Sequence, residues 1–130
     1  MTVLRTIALA IAVSIAAVAP ARAAEERNFD AAAFAAAQAQ GRPILVDVKA
    51  WWCPVCASQN RTIKAIVASP DYNTLIIFNV NYDRQKDVLR RFAVTKQGSL
   101  IGFHGTRQTG RLDFVTDRAQ IGGLLASTLH

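Results

Sequence analysis

The stretch Trp51-Trp52-Cys53-Pro54-Val55-Cys56 holds the only two cysteines of the 130-residue chain, three positions apart. On its N-terminal side Ile44-Leu45-Val46-Asp47-Val48-Lys49 is rich in β-branched residues and bounded by Gly41 and Pro43, the pattern of a buried strand in a parallel sheet. On its C-terminal side Ile63, Ile66 and Val67 recur at helical spacing until Ser69-Pro70 ends the run. The two thiols therefore fall where a strand ends and a helix begins.

That position has chemical consequences. Cys53 occupies or adjoins the helix N-cap, and Pro54 takes the first helical position, where its missing N–H is not needed. Unpaired backbone N–H groups and the positive end of the helix dipole then face the sulfur and favour thiolate over thiol. Cys53 is the expected nucleophile. Cys56, one turn further in and expected to be the more buried, can attack a mixed disulfide on Cys53 and release the partner.

Two other uses of the pair compete with this one. A disulfide closing so short a loop is a poor staple, because the loss of unfolded-state entropy grows with the logarithm of loop length. A closed zinc site wants four ligands, and only His104 and His130 could supplement the thiolates. A two- or three-coordinate copper(I) site stays open.

The run from Val46 to Cys56 resembles the active-site segment of the thioredoxin superfamily: a strand carrying a buried Asp, then Ala-x-Trp-Cys-x-x-Cys opening a helix. Asp47, Ala50, Trp52, Cys53 and Cys56 fall on that pattern. The resemblance implies a redox-active disulfide between Cys53 and Cys56, no cofactor and no resident metal. It also implies that Asp47, costly to ionise among Val and Leu, exchanges the proton of the resolving thiol. Lys49, two residues on, shares the strand face of Asp47 and can pair with it. Trp52, Pro54, Gln97 and Gly98 would meet the substrate.

Gly98 marks a departure, standing where the family has the cis-proline that guides a client chain into backbone pairing. A non-proline cis bond costs roughly 2.5 to 4 kcal/mol, so a trans loop exploiting glycine's conformational freedom is expected. His104 reads as a surface or edge residue, and His130 as a frayed terminus.

Residues 1–23 read as a leader: Arg5 as a basic region, residues 7–18 as an apolar core, and Ala21-Arg22-Ala23 as a cleavage signal before Ala24. The core is shorter than the roughly 20 residues that span a bilayer, which favours cleavage over the alternative of an uncleaved anchor, and no stable membrane insertion is expected once the leader is cut. Export would place the thiols where disulfides persist, the periplasm of a Gram-negative cell. Loss of Arg5 and Arg22 lowers the net charge from +6 to +4, and no basic run points to nucleic acid.

Residues 24–130 read as one α/β domain with a thioredoxin-like fold, a central mixed sheet of about four strands flanked by helices. In order come a helix capped by Asn28 or Asp30, the strand at 44–49, the helix at 54–69, a strand at 75–80, a helix within 83–92, a hairpin with its turn at 105–110, and a last helix capped by Asp117. An additional N-terminal strand is expected to be absent or very short. By its length and residues 78–83 the chain is similar to the soluble thioredoxin-like domains of periplasmic disulfide-reducing relays. That likeness implies a monomeric thiol-disulfide oxidoreductase, leaning to reduction, with protein disulfides as substrates and a redox partner protein. The alternative is a copper(I)-handling or redox-sensing module of the same fold.

Overall fold

A computed structural model describes residues 23–130 together with Ser14, Ala16 and Ala17. The leader expected at residues 1–23 thus lies almost wholly outside the described residues. Among those described, no helix is long and apolar enough to cross a membrane.

The sheet is laid out around strand β2 (Pro43–Lys49), six of whose seven residues are buried. A strand covered on both faces needs apolar side chains on both, which is why its alternation is lost and only Asp47 interrupts it. β2 pairs in parallel with β3 (Ile76–Asn81) and antiparallel with β4 (Ser99–His104). β4 turns back through Gly105 and Thr106 into β5 (Arg107–Asp113), and β1 (Glu25–Asn28) adds in parallel to the free edge of β3. The spatial order is β1-β3-β2-β4-β5.

Two details differ from the sequence reading. The sheet has five strands instead of about four, because the N-terminal strand expected to be absent or very short is present as β1, four exposed residues held by the ladder to β3. A polar, fully exposed segment carries no period-2 signal and is recruited by its neighbour's edge. The hairpin turn is also tighter than residues 105–110, since Thr109 and Gly110 already belong to β5.

Four helices cover the sheet. Helices α1 (Ala31–Ala39, capped by the Asp30 carboxylate on the Ala33 N–H at 2.8 Å) and α3 (Lys86–Arg91) lie on the face presented by Ile44, Val46, Val48 and Phe78. That layer is built on Phe29, Phe34, Phe78, Phe92 and Phe103, whose rings meet mostly edge to face at centroid distances of 5.4–6.1 Å. Helices α2 (Pro54–Val67) and α4 (Arg118–Ser127, capped by Asp117) cover the other face, where Leu45, Ile77 and Leu100 meet Ile63, Ile121 and Leu125. Asp47 points toward α2 with Leu45, by the strand's period of two. β2 thus delivers the chain to the start of α2 at its carboxyl end and sets a carboxylate under that helix.

Candidate functional site

Cys53 is the N-cap of α2, with Pro54 at the first helical position. Its Sγ accepts the backbone N–H of Cys56 at 3.1 Å, so an orphan donor of the helix start points at the sulfur. The two cysteines are joined as a disulfide, and both are buried, Cys53 3% and Cys56 4% exposed, against Ala50, Val55 and Tyr82. Exposure therefore does not rank them as expected. The difference between the two sulfurs is electrostatic: one caps a 14-residue helix and the other lies inside it.

Asp47 is buried beneath α2. Loss of hydration pushes its carboxyl up from the ordinary 3.8 to about 6, and the Lys49 ammonium, 3.6 Å away, offsets part of that rise. The pairing expected from their shared strand face is present. Lys49 also bonds Glu26 of β1 at 3.3 Å, and Asn79 donates to the same Glu26 oxygen at 2.9 Å. The Asn79 hydrogen bond is the largest reason that the Glu26 carboxyl lies below its ordinary value. A cavity of about 200 Å³, lined in part by Glu26, Asp47, Asn60 and Lys64, connects Asp47 with the space under α2. Asn60 stands one turn beyond Cys56, so the carboxylate lies under the same helix as Cys56.

The loop expected to replace the cis-proline has no cis bond, and Gly98 adopts φ +80. Its backbone is committed internally: its N–H donates to Val48 O at 2.8 Å, and its carbonyl accepts from Phe114 N and from Gln59 Nε2, both at 2.9 Å. Gln97, next to it and half-buried, makes no backbone hydrogen bond to the rest of the described protein. Pro54 is exposed beside the disulfide. Trp52 is partly covered, its indole N–H donating to Asp83 Oδ2 at 3.0 Å and its ring edge-on to Tyr82.

Among the described residues no group of three or more His, Cys, Asp or Glu could hold a metal. His104 sits at the far end of β4, with Nδ1 2.8 Å from the Thr128 carbonyl at the end of α4.

Sequence reasoning missed two residues that shape this surface. Gln59 is fully buried and donates to both Gly98 O and Val115 O at 2.9 Å, tying α2 to the loops beside the disulfide. The available signal was its position three residues after Cys56 and four before Ile63, on the inner face of the helix. Phe114 is exposed at φ +60, abuts Gly98 and lies under Lys96, whose Nζ is 3.8 Å from the ring centroid. Nothing local in the sequence marks it.

A strand delivering Cys-x-x-Cys to a helix N-terminus, over a buried carboxylate, on a β1-β3-β2-β4-β5 sheet defines a thioredoxin-fold disulfide protein. The thioredoxin-like protein Trxlp of Edwardsiella tarda EIB202 superposes with a TM-score of 0.75 at 38% identity, over 78% of this chain and 98% of that one. The chain belongs to the thioredoxin superfamily. A thioredoxin of Malassezia sympodialis (TM-score 0.71, 13% identity, 84% of this chain and 94% of that one) and thioredoxin NaTrxh of Nicotiana alata (0.68, 18%, 82% and 95%) share the fold. No family model and no curated protein matches the sequence.

Proposed function

We propose that the protein is an exported thiol-disulfide oxidoreductase of the periplasm that reduces disulfides in other exported proteins. The observation that carries this is the Cys53 sulfur at the N-cap of α2, accepting the Cys56 N–H. That environment favours a thiolate at Cys53 once the pair is reduced and so supplies the nucleophile of thiol-disulfide exchange. The reducing direction rests on the likeness to the domains of disulfide-reducing relays, because a stabilised thiolate by itself raises the reduction potential.

In the proposed cycle the Cys53 thiolate attacks one sulfur of a client disulfide, and the client's other sulfur leaves as a thiolate and takes a proton from water. Asp47 accepts the Cys56 proton, and the Cys56 sulfur attacks Cys53 Sγ, expelling the second client sulfur as a thiolate that takes up the proton held by Asp47. The client gains two electrons and two protons, and the protein is left as the Cys53–Cys56 disulfide. A redox partner protein returns two electrons and two protons. Trp52, Pro54 and Gln97 form the surface the client meets, with Gln97 supplying backbone groups that Gly98 has committed elsewhere. The protein acts as a monomer without a cofactor, free of the membrane once the leader is cut.

The test is reduction of insulin with dithiothreitol as electron source, with copper(I) titration of the reduced protein alongside. Catalysed turnover lost in Cys53→Ser, with mixed disulfides accumulating in Cys56→Ser, is the expected result. Stoichiometric copper(I) binding without turnover would overturn the reading. Equilibration with glutathione buffers measures the direction, and N-terminal sequencing of the secreted form checks cleavage before Ala24.

A further inference from the structure

Beside the disulfide, at the carboxyl ends of the parallel strands β1, β3 and β2, lies a cleft of about 520 Å³. In open sheets of parallel strands this end is where ligands are held, and the volume is within the range of binding pockets. Asn28, Lys49, Asn79, Asn81 and Arg84 line it, and Trp51 forms its rim. Trp51 is 93% exposed, two residues before Cys53. A large apolar ring left so open in a domain with a well-filled core is the kind of residue that anchors an interface.

The polar lining is rich in free donors. The Arg84 guanidinium makes no hydrogen bond or ion pair among the described residues, and the side chain of Asn28 is equally uncommitted. Lys49 adds a second positive charge, shared with Glu26 and Asp47 behind it. No carboxylate lines the cleft itself. The nearby Asp83 is turned to the Trp52 indole. Asn79 is held in place by donating its amide N–H to Glu26 Oε1, which leaves its buried Oδ1 without a hydrogen-bond partner. The wall on the α3 side is also fixed in advance: Asn81 Oδ1 accepts from the N–H groups of Asp83 and Arg84, and Gln85 Oε1 from that of Asn81.

We infer that this cleft docks an extended segment of the client protein carrying an aspartate or glutamate close to its reactive cysteine, with Trp51 as the apolar anchor and Arg84 as the partner of the carboxylate. The inference rests on the oxidoreductase reading, since it supplies a foothold for a chain whose cysteine is held at Cys53. It makes the surface selective: acidic flanks are favoured by Coulomb attraction and basic flanks are repelled.

The experiment uses the oxidised full-chain protein and fluorophore-labelled nonapeptides in which serine replaces the client cysteine, with flanking positions Glu, Gln or Lys. Anisotropy titrations at low ionic strength should show the Glu peptide bound about two- to fivefold more tightly than the Gln peptide, the scale of exposed charge pairs. That ratio should approach one in Arg84→Gln and at high salt and fall below one in Arg84→Glu, and Trp51→Ala should weaken both peptides. Equal affinities in the wild type, or a ratio untouched by Arg84→Glu, would overturn the inference. Turnover of the matching cysteine disulfides separates the two readings. Acidic preference without turnover keeps the cleft and removes the oxidoreductase, whereas turnover without acidic preference does the reverse.

Discussion

Asp47 illustrates how a single buried group couples chemistry to stability. The groups facing it are Lys49 on its own strand, Glu26 from β1 and Lys64 from α2. Its folded-state carboxyl, at about 6, lies above the ordinary 3.8. Between those values the folded form holds a proton that the unfolded chain has lost, so stability falls as pH rises through this window and is level above it. Asp47→Asn should therefore stabilise the oxidised protein by up to about 3 kcal/mol at pH 8, the full shift with the Lys49 attraction already netted off, and by much less at pH 4. Urea denaturation at both pH values checks this. The same substitution should slow resolution of a mixed disulfide about a hundredfold if the carboxylate accepts the Cys56 proton, read by quenched-flow alkylation. Gly98 belongs to the same scale. A Cβ there would lie 3.2 Å from Phe114 Cδ2 at a φ of +80, so Gly98→Ala should lose about 1–3 kcal/mol. Gly98→Pro should be worse, by about 3 kcal/mol or more, because proline's φ is opposite in sign and the N–H to Val48 O disappears. The family's own residue is thus expected to damage this loop, which thermal unfolding of the two variants would reveal.

Among the elements, α2 carries the site, and what orients it is as much polar as apolar. Ile63 anchors its middle in the core beside Leu45, while Gln59 binds the carbonyls of residues 98 and 115. Gln59→Ala removes both donors and leaves a buried void, and should lose about 2–4 kcal/mol. Hydrogen exchange of the Phe114 amide, which donates to Gly98 O, should accelerate more than that of amides in β2. A different constraint holds α4 against the hairpin: a Cβ on Gly102 would sit 2.8 Å from Thr109 Oγ1 and 3.0 Å from Leu124 Cδ1. The close approach of this helix to β4 and β5 depends on that missing side chain.

For the whole molecule, the sheet separates two apolar layers that share β2. Phe34 packs against Phe29, Phe78, Phe92 and Phe103 on the side remote from the disulfide. Phe34→Ala should destabilise by about 3–5 kcal/mol. Because β2 contributes to both layers, tryptophan fluorescence, which reports the site, and far-ultraviolet dichroism should still lose their signals in one coincident transition. Two separate transitions would show that the layers fold independently.

The local placement of the site's groups was legible from residues alone. A β-branched run, Cys-Pro-Val-Cys and a helical repeat place the sulfur at a helix start, because strand and helix periodicity and proline's missing N–H are properties of neighbours in sequence. Asp47 and Lys49 share a face for the same reason, and Asp30 and Asp117 cap the helices they precede. Packing across the sheet decided the rest. The strand β1 exists through the edge of β3, Gln59 is buried because two loops arrive above it, and the cleft beside Trp51 forms only where three strand ends converge. Each of those depends on groups brought together from distant parts of the chain, for which one-dimensional spacing carries no signal.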